Sequence, residues 1–533
     1  MAGITHDGTI ATASIGASLV TLLLTACNSG LPDALPPITV ASCAVEVCGA
    51  PSPATQPAAT TLLCPAALDY QTTFTGGSGS GEYIKVRLDT AKKQYEMTFV
   101  ESTVPTSRGQ VNETRAGLTI TGSYETVDRY RVVNAQGGTR TSFALPTAEQ
   151  NRCSLVLKDG QTADGRYAVD IDPSDPPILF VGNGIVGGAI PGATVQFDGV
   201  ELAPGINVGV VPRKTFDYYP FIAFSKTITD FSRIAGHYNE LGIHFTPDGG
   251  SYQMSPDDPT PSALGWQADG FQVSETLRAD GSCTIDAAQP FATCPTTGTN
   301  WRLRTNADGS LDNVFLSEPL PSTTPNVGPV YPAVGSGLMQ ASFAQNRAHG
   351  VMIVGDVDGE AVPVVIRVGY AYAGASIMDS TLDDQIGISL LSPASPLDPG
   401  SFSGAFIGAT STSACGRITA NLPVGDAYEG ACLDEATTKN PGINYASTVF
   451  QSADAAFLDP FALRATTNFA LDYIQQQPGV VWITAQNDLV SAGATIFRHG
   501  DAGSLIKSGR VFALLINGAN APNPFFTIGA FVQ

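Results

Sequence analysis

Glu82-Tyr83-Ile84-Lys85-Val86-Arg87-Leu88, the turn Asp89-Thr90-Ala91-Lys92-Lys93, and Gln94-Tyr95-Glu96-Met97-Thr98-Phe99 decide how this chain is read. Ile84, Val86 and Leu88 alternate with Lys85 and Arg87. Tyr95, Met97 and Phe99 alternate with Gln94, Glu96 and Thr98. Successive side chains of a strand point to opposite faces, so period-two alternation on both sides of a polar turn predicts a hairpin with one buried face. The pattern recurs. Asn134-Ala135-Gln136-Gly137-Gly138 separates residues 129–133 from 139–145, and Gly355-Asp356-Val357-Asp358-Gly359-Glu360 lies between Val351-Met352-Ile353-Val354 and Val362-Pro363-Val364-Val365-Ile366. Residues 525–532 form a further apolar strand. One helix is expected, over 461–477, ending at Pro478-Gly479. The fold class is therefore all-β, an antiparallel β-sandwich or partly closed β-barrel modules with few helices.

Composition supports the same class and removes others. Charged residues make up only 14 % and Gly numbers 56, a mixture that suits short strands and tight turns. The net charge is −21, from 27 basic and 48 acidic residues, and no basic run exceeds Lys92-Lys93. Phosphate backbones require clustered Lys and Arg, so nucleic acid is not an expected partner.

The N-terminal residues carry the strongest signal of destination. An apolar, small-residue run from Ile15 to Leu24 closes on Leu24-Thr25-Ala26-Cys27. It is too short and too rich in Ser, Thr and Ala for an ordinary membrane span. It resembles a bacterial lipoprotein signal with its lipobox, although residues 1–14 lack the usual Lys or Arg. The resemblance implies cleavage before Cys27, lipidation of Cys27, and attachment to the cell envelope through that lipid. Asn28, rather than Asp, follows; by resemblance to lipoprotein sorting this implies the outer membrane. The expected organisation is a signal peptide over 1–26, a Pro/Ala/Thr-rich tether over 27–66, a β-rich region over 67–318, a Pro-rich linker over 319–335 and a second β-rich domain over 336–533.

Setting Cys27 aside leaves eight cysteines, an even number in an exported chain. Cys283 with Cys294, and Cys415 with Cys432, lie near in sequence and are expected to pair. Connectivity among Cys43, Cys48, Cys64 and Cys153 stays open, and the cysteines within 27–66 suggest that part of the tether is pinned to the body. No CxxC or His at ligand spacing stands beside a cysteine, so no metal and no cofactor are expected.

Candidate site residues are few. Aromatic side chains crowd 216–245, and Tyr218, Tyr219, His237, Tyr238 and His244 are the ligand-facing candidates. His237 and His244, seven apart, lie on opposite faces of a continuous strand and face one another only if Asn239-Glu240-Leu241-Gly242 is a turn. Arg498-His499-Gly500 resembles the short core of histidine phosphatases, but its place near the C-terminus reads better as a turn after 494–497. Asp356-Val357-Asp358-Gly359-Glu360 lacks the ligand spacing of a calcium loop and reads as a hairpin turn. The acidic clusters Asp170/Asp172/Asp175 and Asp379/Asp383/Asp384 read as solvated loops. No GxSxG, HExxH or Walker motif occurs, and no catalytic residue is nominated.

Ile234-Ala235-Gly236-His237-Tyr238-Asn239 and Ala279-Asp280-Gly281-Ser282-Cys283, with the lipobox, resemble an uncharacterised family of bacterial lipoproteins. Gly236-x-Tyr238 is also similar to the start of lipocalin-like barrels. The expected function is a lipid-anchored envelope β-protein with a binding or structural role toward an extracytoplasmic protein or glycan. An envelope hydrolase acting on glycan or ester and an outer-membrane β-barrel component are the alternatives.

Overall fold

The computed structural model describes most of residues 62–531; residues 1–61, the internal segments 249–264, 286–293, 318–347 and 413–438, and shorter stretches beside them lie outside the description. Cys27, the expected linker 319–335 and the pair Cys415 and Cys432 fall in those segments. The described residues are strands almost throughout, with one short helix, Ala148–Arg152, and one 3-10 turn, Phe231–Ile234.

The opening hairpin forms as read. Tyr83–Asp89 pairs with Gln94–Glu101, and Ile84, Val86, Leu88, Tyr95, Met97 and Phe99 are all buried. From it the ladder continues through Thr119–Thr126, Ser154–Leu157, Ile178–Gly182, Ile185–Phe197 and Val211–Phe224. The last of these pairs with Thr73–Ser78, which also pairs with Tyr83–Asp89, so the ladder closes into an eight-stranded barrel. Its outward positions include the charged Lys85, Arg87 and Glu96, whereas a lipid-facing band is apolar.

A second sheet of eight strands has the order Cys283–Ile285, Gly265–Leu277, Gly236–Asp248, Ile386–Pro393, Glu360–Val368, His349–Val357, Leu311–Ser317 and Arg302–Thr305. Leu311–Ser317 pairs with His349–Val357, so strands on the two sides of 319–335 share one sheet. The hairpin joining His349–Val357 to Glu360–Val368 turns on Asp358 and Gly359, with φ 53° and 87°. Two successive positive φ values define the turn that matches strand twist, and glycine adopts the second without a Cβ clash.

The third sheet is a closed barrel of Gly404–Thr412, Asn444–Phe450, Asp454–Leu458, Thr466–Asp472, Val481–Ala485, Ala502–Ser508, Val511–Ile516 and Phe525–Phe531. Thr466–Asp472 corrects the expected helix over 461–477: Phe469 and Leu471 face the barrel core beside Val481 and Ile483, a period of two rather than 3.6. The Arg498-His499-Gly500 segment is a turn, as read, though the following strand begins at Ala502.

One core cluster ties the sheets together. Ile84, Val86 and Phe99 of the first barrel, Leu241, Ile353, Ile366 and Ile388 of the open sheet, and Val511, Ala513 and Ile528 of the second barrel belong to it. The close fit depends on Gly77: a Cβ there would come 2.4 Å from Ile366 Cγ2. The opposite face of the open sheet packs Phe231, Tyr238, Trp301, Phe315 and Met352.

Two disulfides are present among the described residues. Cys283 is bonded to Cys294, the expected pair. Cys64 is bonded to Cys153, which resolves part of the open connectivity and pins the end of the expected tether to the barrel. Leu63 N–H also donates to Glu149 Oε1 at 2.9 Å, and Arg152 donates to the Cys64 carbonyl at 2.7 Å.

Candidate functional site

Where the strand Leu311–Ser317 crosses the outside of the first barrel, the two surfaces leave a polar groove of about 660 Å³, within the size range of ligand clefts. Thr73, Thr75, Lys85 and Arg87 come from the barrel; Thr229, Leu303, Asn306, Leu311, Asp312 and Asn313 form the rest of the lining. The alternation that buries Ile84, Val86 and Leu88 is what turns Lys85 and Arg87 outward into it.

The seam beneath the groove is a chain of charges. Lys85 Nζ is 2.9 Å from Asp312 Oδ1, and Arg304 is 3.1 Å from Asp312 Oδ2. Tyr83 donates its hydroxyl to the same carboxylate at 3.1 Å. Arg304 also reaches Glu101, whose other oxygen lies 2.6 Å from His349 Nε2. Burial raises the Asp312 carboxyl, but the Lys85 hydrogen bond, the Asn313 N–H and the Tyr83 hydroxyl outweigh it, and the pKa lies below the ordinary carboxylate value. Glu101 behaves likewise: burial raises it, and His349 and Arg304 bring it below its ordinary value. Both acids are therefore anions at neutral pH, locked to cations. Such an arrangement holds two surfaces in register; it lacks the protonated partner that a glycosidase acid requires.

The expected ligand-facing residues lie elsewhere. Tyr218 and Tyr219 are buried in the strand Val211–Phe224, and Tyr219 packs against Phe216 with ring centroids 5.0 Å apart. Burial raises the Tyr219 phenol. Tyr238 is buried in the outer cluster of the open sheet. Gly236–Asp248 is one uninterrupted strand, so His237 and His244 take opposite faces. His237 is exposed, with Nδ1 3.2 Å from Thr276 Oγ1, whereas His244 is buried and packs on Phe271 at 4.7 Å. None of the five lines the groove. Aromatic density marked core here, because large rings bury most area where sheets pack.

Among the described residues, acid–cysteine groups occur twice, at Cys64/Glu149/Cys153 and Glu275/Cys283/Cys294. In both, the sulfurs are joined in disulfides and offer no thiolate to a metal.

With the geometry described, comparison with known proteins adds a family. The family model for a protein of unknown function, DUF2957, matches residues 94–530. The chain belongs to the DUF2957 family. That span runs from the second strand of the opening hairpin to the last strand of the second barrel; of the groove it includes Thr229 and the residues from Leu303 to Asn313, while Thr73, Thr75, Lys85 and Arg87 precede it. No curated protein matches this DUF2957 chain. Among solved structures it is similar to the vaccine antigen transferrin binding protein B of Haemophilus parasuis Hp5, in a double-mutant form, at 9 % identity and a TM-score of 0.23, covering 84 % of this chain and 65 % of that one. A single-mutant form of the same antigen gives 8 % identity and a TM-score of 0.19, with the same coverage. This DUF2957 chain thus spans slightly under two thirds of those proteins, and scores so low carry no argument about its ligand.

Proposed function

We propose that this chain is a lipid-anchored binding protein of the cell envelope, whose groove between the first barrel and the open sheet receives a polar extracytoplasmic partner. The observation that carries the reading is the groove itself: hydroxyl, amide and charged side chains from separate sheets converge on one cleft, over a seam fixed by Lys85, Asp312 and Arg304. The anchor rests on Leu24-Thr25-Ala26-Cys27, and the outer membrane on Asn28. A tether ending near the Cys64–Cys153 bond would hold the barrels off the bilayer.

The test uses a photo-crosslinking residue at Leu311, which is 67 % exposed on the groove rim, in cells carrying either the native chain or a Cys27→Ser variant. A discrete adduct that disappears when Arg87→Glu is added supports the binding reading. Absence of any groove-dependent adduct refutes it. Membrane fractionation that does not distinguish Cys27→Ser from the native chain refutes the anchor.

A further inference from the structure

We infer that the groove takes an acidic glycan, a sugar chain bearing carboxylates; this deepens the binding reading above and rests on it. The floor is a square of cross-strand neighbours, Thr73 opposite Arg87 and Thr75 opposite Lys85. Lys85 and Arg87 are two residues apart on one strand, so their charges leave the same face roughly 7 Å apart. Lys85 uses one hydrogen-bond donor on Asp312, and an ammonium carries three. Arg87 spends Nε on Thr73 Oγ1 and one terminal nitrogen on Glu96 at 3.3 Å, which leaves its second terminal nitrogen without a hydrogen-bond partner among the described residues. The acid of the groove is already saturated: Asp312 accepts from Lys85, Asn313 N–H, Tyr83 and Arg304. The open donors are therefore cationic; the Asp312 carboxylate within the groove is fully taken up, and Glu96 beside it holds one side of Arg87.

Hydroxyls complete the match to a sugar acid. Thr73 Oγ1 accepts from Arg87, and Thr75 Oγ1 accepts from Asn313 Nδ2 at 2.9 Å. Thr73, which is half-buried, then has its own O–H to donate, whereas Thr75 is 2 % exposed and backs the wall. Alternating cation and hydroxyl donors suit a chain that alternates carboxylates with ring oxygens and hydroxyls. An acidic peptide would instead use apolar side-chain pockets or a free strand edge; Leu303 and Leu311 are the apolar lining residues, and Leu303 sits on the edge strand Arg302–Thr305, so polyglutamate is the discriminating probe. With a net charge of −21 on the chain, long-range steering of an anion is unfavourable. Recognition must be made at contact and weakened by salt.

The experiment is calorimetric titration of the full-length chain in neutral detergent with a short oligogalacturonate, its methyl-esterified form and a short polyglutamate. We expect oligogalacturonate to bind, the ester to bind at least about tenfold more weakly, and both Arg87→Gln and Lys85→Gln to cost about tenfold. Thermal unfolding of each variant checks that the fold survives, and Glu96→Gln, which frees more of Arg87, should bind more tightly if folded. Binding of polyglutamate alone overturns the glycan class and leaves a peptide groove. Equal binding of acid and ester overturns the role of charge. No binding of any probe, with the Leu311 crosslink still formed, overturns the acidic-glycan inference while the binding reading stands; loss of both overturns both.

Discussion

Lys85 on the first barrel and Asp312 on the open sheet are joined at 2.9 Å although 227 residues separate them in sequence. The carboxylate is 3 % exposed and the ammonium 31 %, so the pair sits between the surface case, worth little, and the buried case, costly to break. Asp312 keeps Arg304 when Lys85 is lost. We therefore expect Lys85→Met to cost about 1 kcal/mol and Asp312→Ala, which strips partners from Lys85, Arg304 and Tyr83 together, about 2–3 kcal/mol. A double-mutant cycle in urea should return a coupling of at least about 0.5 kcal/mol. Strict additivity would mean that this pair does not help to register the two surfaces, leaving that to contacts such as Arg304–Glu101 and Asn313–Thr75 and to apolar packing.

Inside the first barrel, Arg115 and Glu82 are both fully buried, 3.4 Å apart. Arg115 also donates to the Pro191 carbonyl at 3.2 Å, to the Gly192 carbonyl and to Tyr167 at 2.7 Å. Glu82 accepts from Ser102 and Ser80 at 2.6 and 2.5 Å. Removing one member strands an ion in the core. Arg115→Met should destabilise the chain by about 3–5 kcal/mol, and adding Glu82→Met should recover part of that loss. A double variant that loses the full sum of the two single losses would show that the hydrogen bonds to Ser102, Tyr167 and the carbonyls, rather than the mutual charge, dominate.

The sequence made the opening hairpin readable because one face of it is buried: Ile84, Val86 and Leu88 inside, Lys85 and Arg87 outside. It made Cys283–Cys294 readable because the two lie eleven residues apart. The groove was half visible, since the outward alternation exposes Lys85 and Arg87 but says nothing of what faces them. Asp312 and Asn313 arrive from more than two hundred residues away through sheet packing, and no local pattern encodes that. Residues 466–472 misled in the other direction: Pro478-Gly479 suggested a helix end, whereas Phe469 and Leu471, two apart, share one face only in a strand, and the barrel ladder holds them so.

Cys64–Cys153 closes a loop of 89 residues that contains most of the first barrel's early strands. In the chain-entropy account a loop of that length stabilises by about 4 kcal/mol. Cys64→Ser with Cys153→Ser should lower the urea midpoint accordingly. It should also expose residues 62–66 to proteolysis, because Leu63 N–H and the Cys64 carbonyl then rely only on Glu149 and Arg152. An unchanged midpoint would place the closed loop's structure already in the unfolded chain.

His244 is a buried group that mild acid would force to charge on unfolding. Burial, with the nearby Arg367 guanidinium, lowers its pKa from 6.5 to about 3. Its folded value lies below its unfolded one, so between those values the unfolded chain binds the extra proton and stability falls as pH falls. The contribution is intact above about pH 6.5 and declines toward pH 3 by at most about 1.4 kcal/mol per unit. His244→Phe keeps a ring against Phe271, at present 4.7 Å away, and removes the titrating nitrogen. Urea midpoints of the native chain should fall steadily from about pH 6.5 to 5.5, above the ordinary carboxylate values of 4.5 and 3.8 at which Glu101 and Asp312 start to lose their contribution as the unfolded chain protonates, and those of the variant should stay nearer level over the same range. Parallel slopes would assign the acid response to carboxylates whose folded values are lowered, as those of Glu101 and Asp312 are, and not to the histidine.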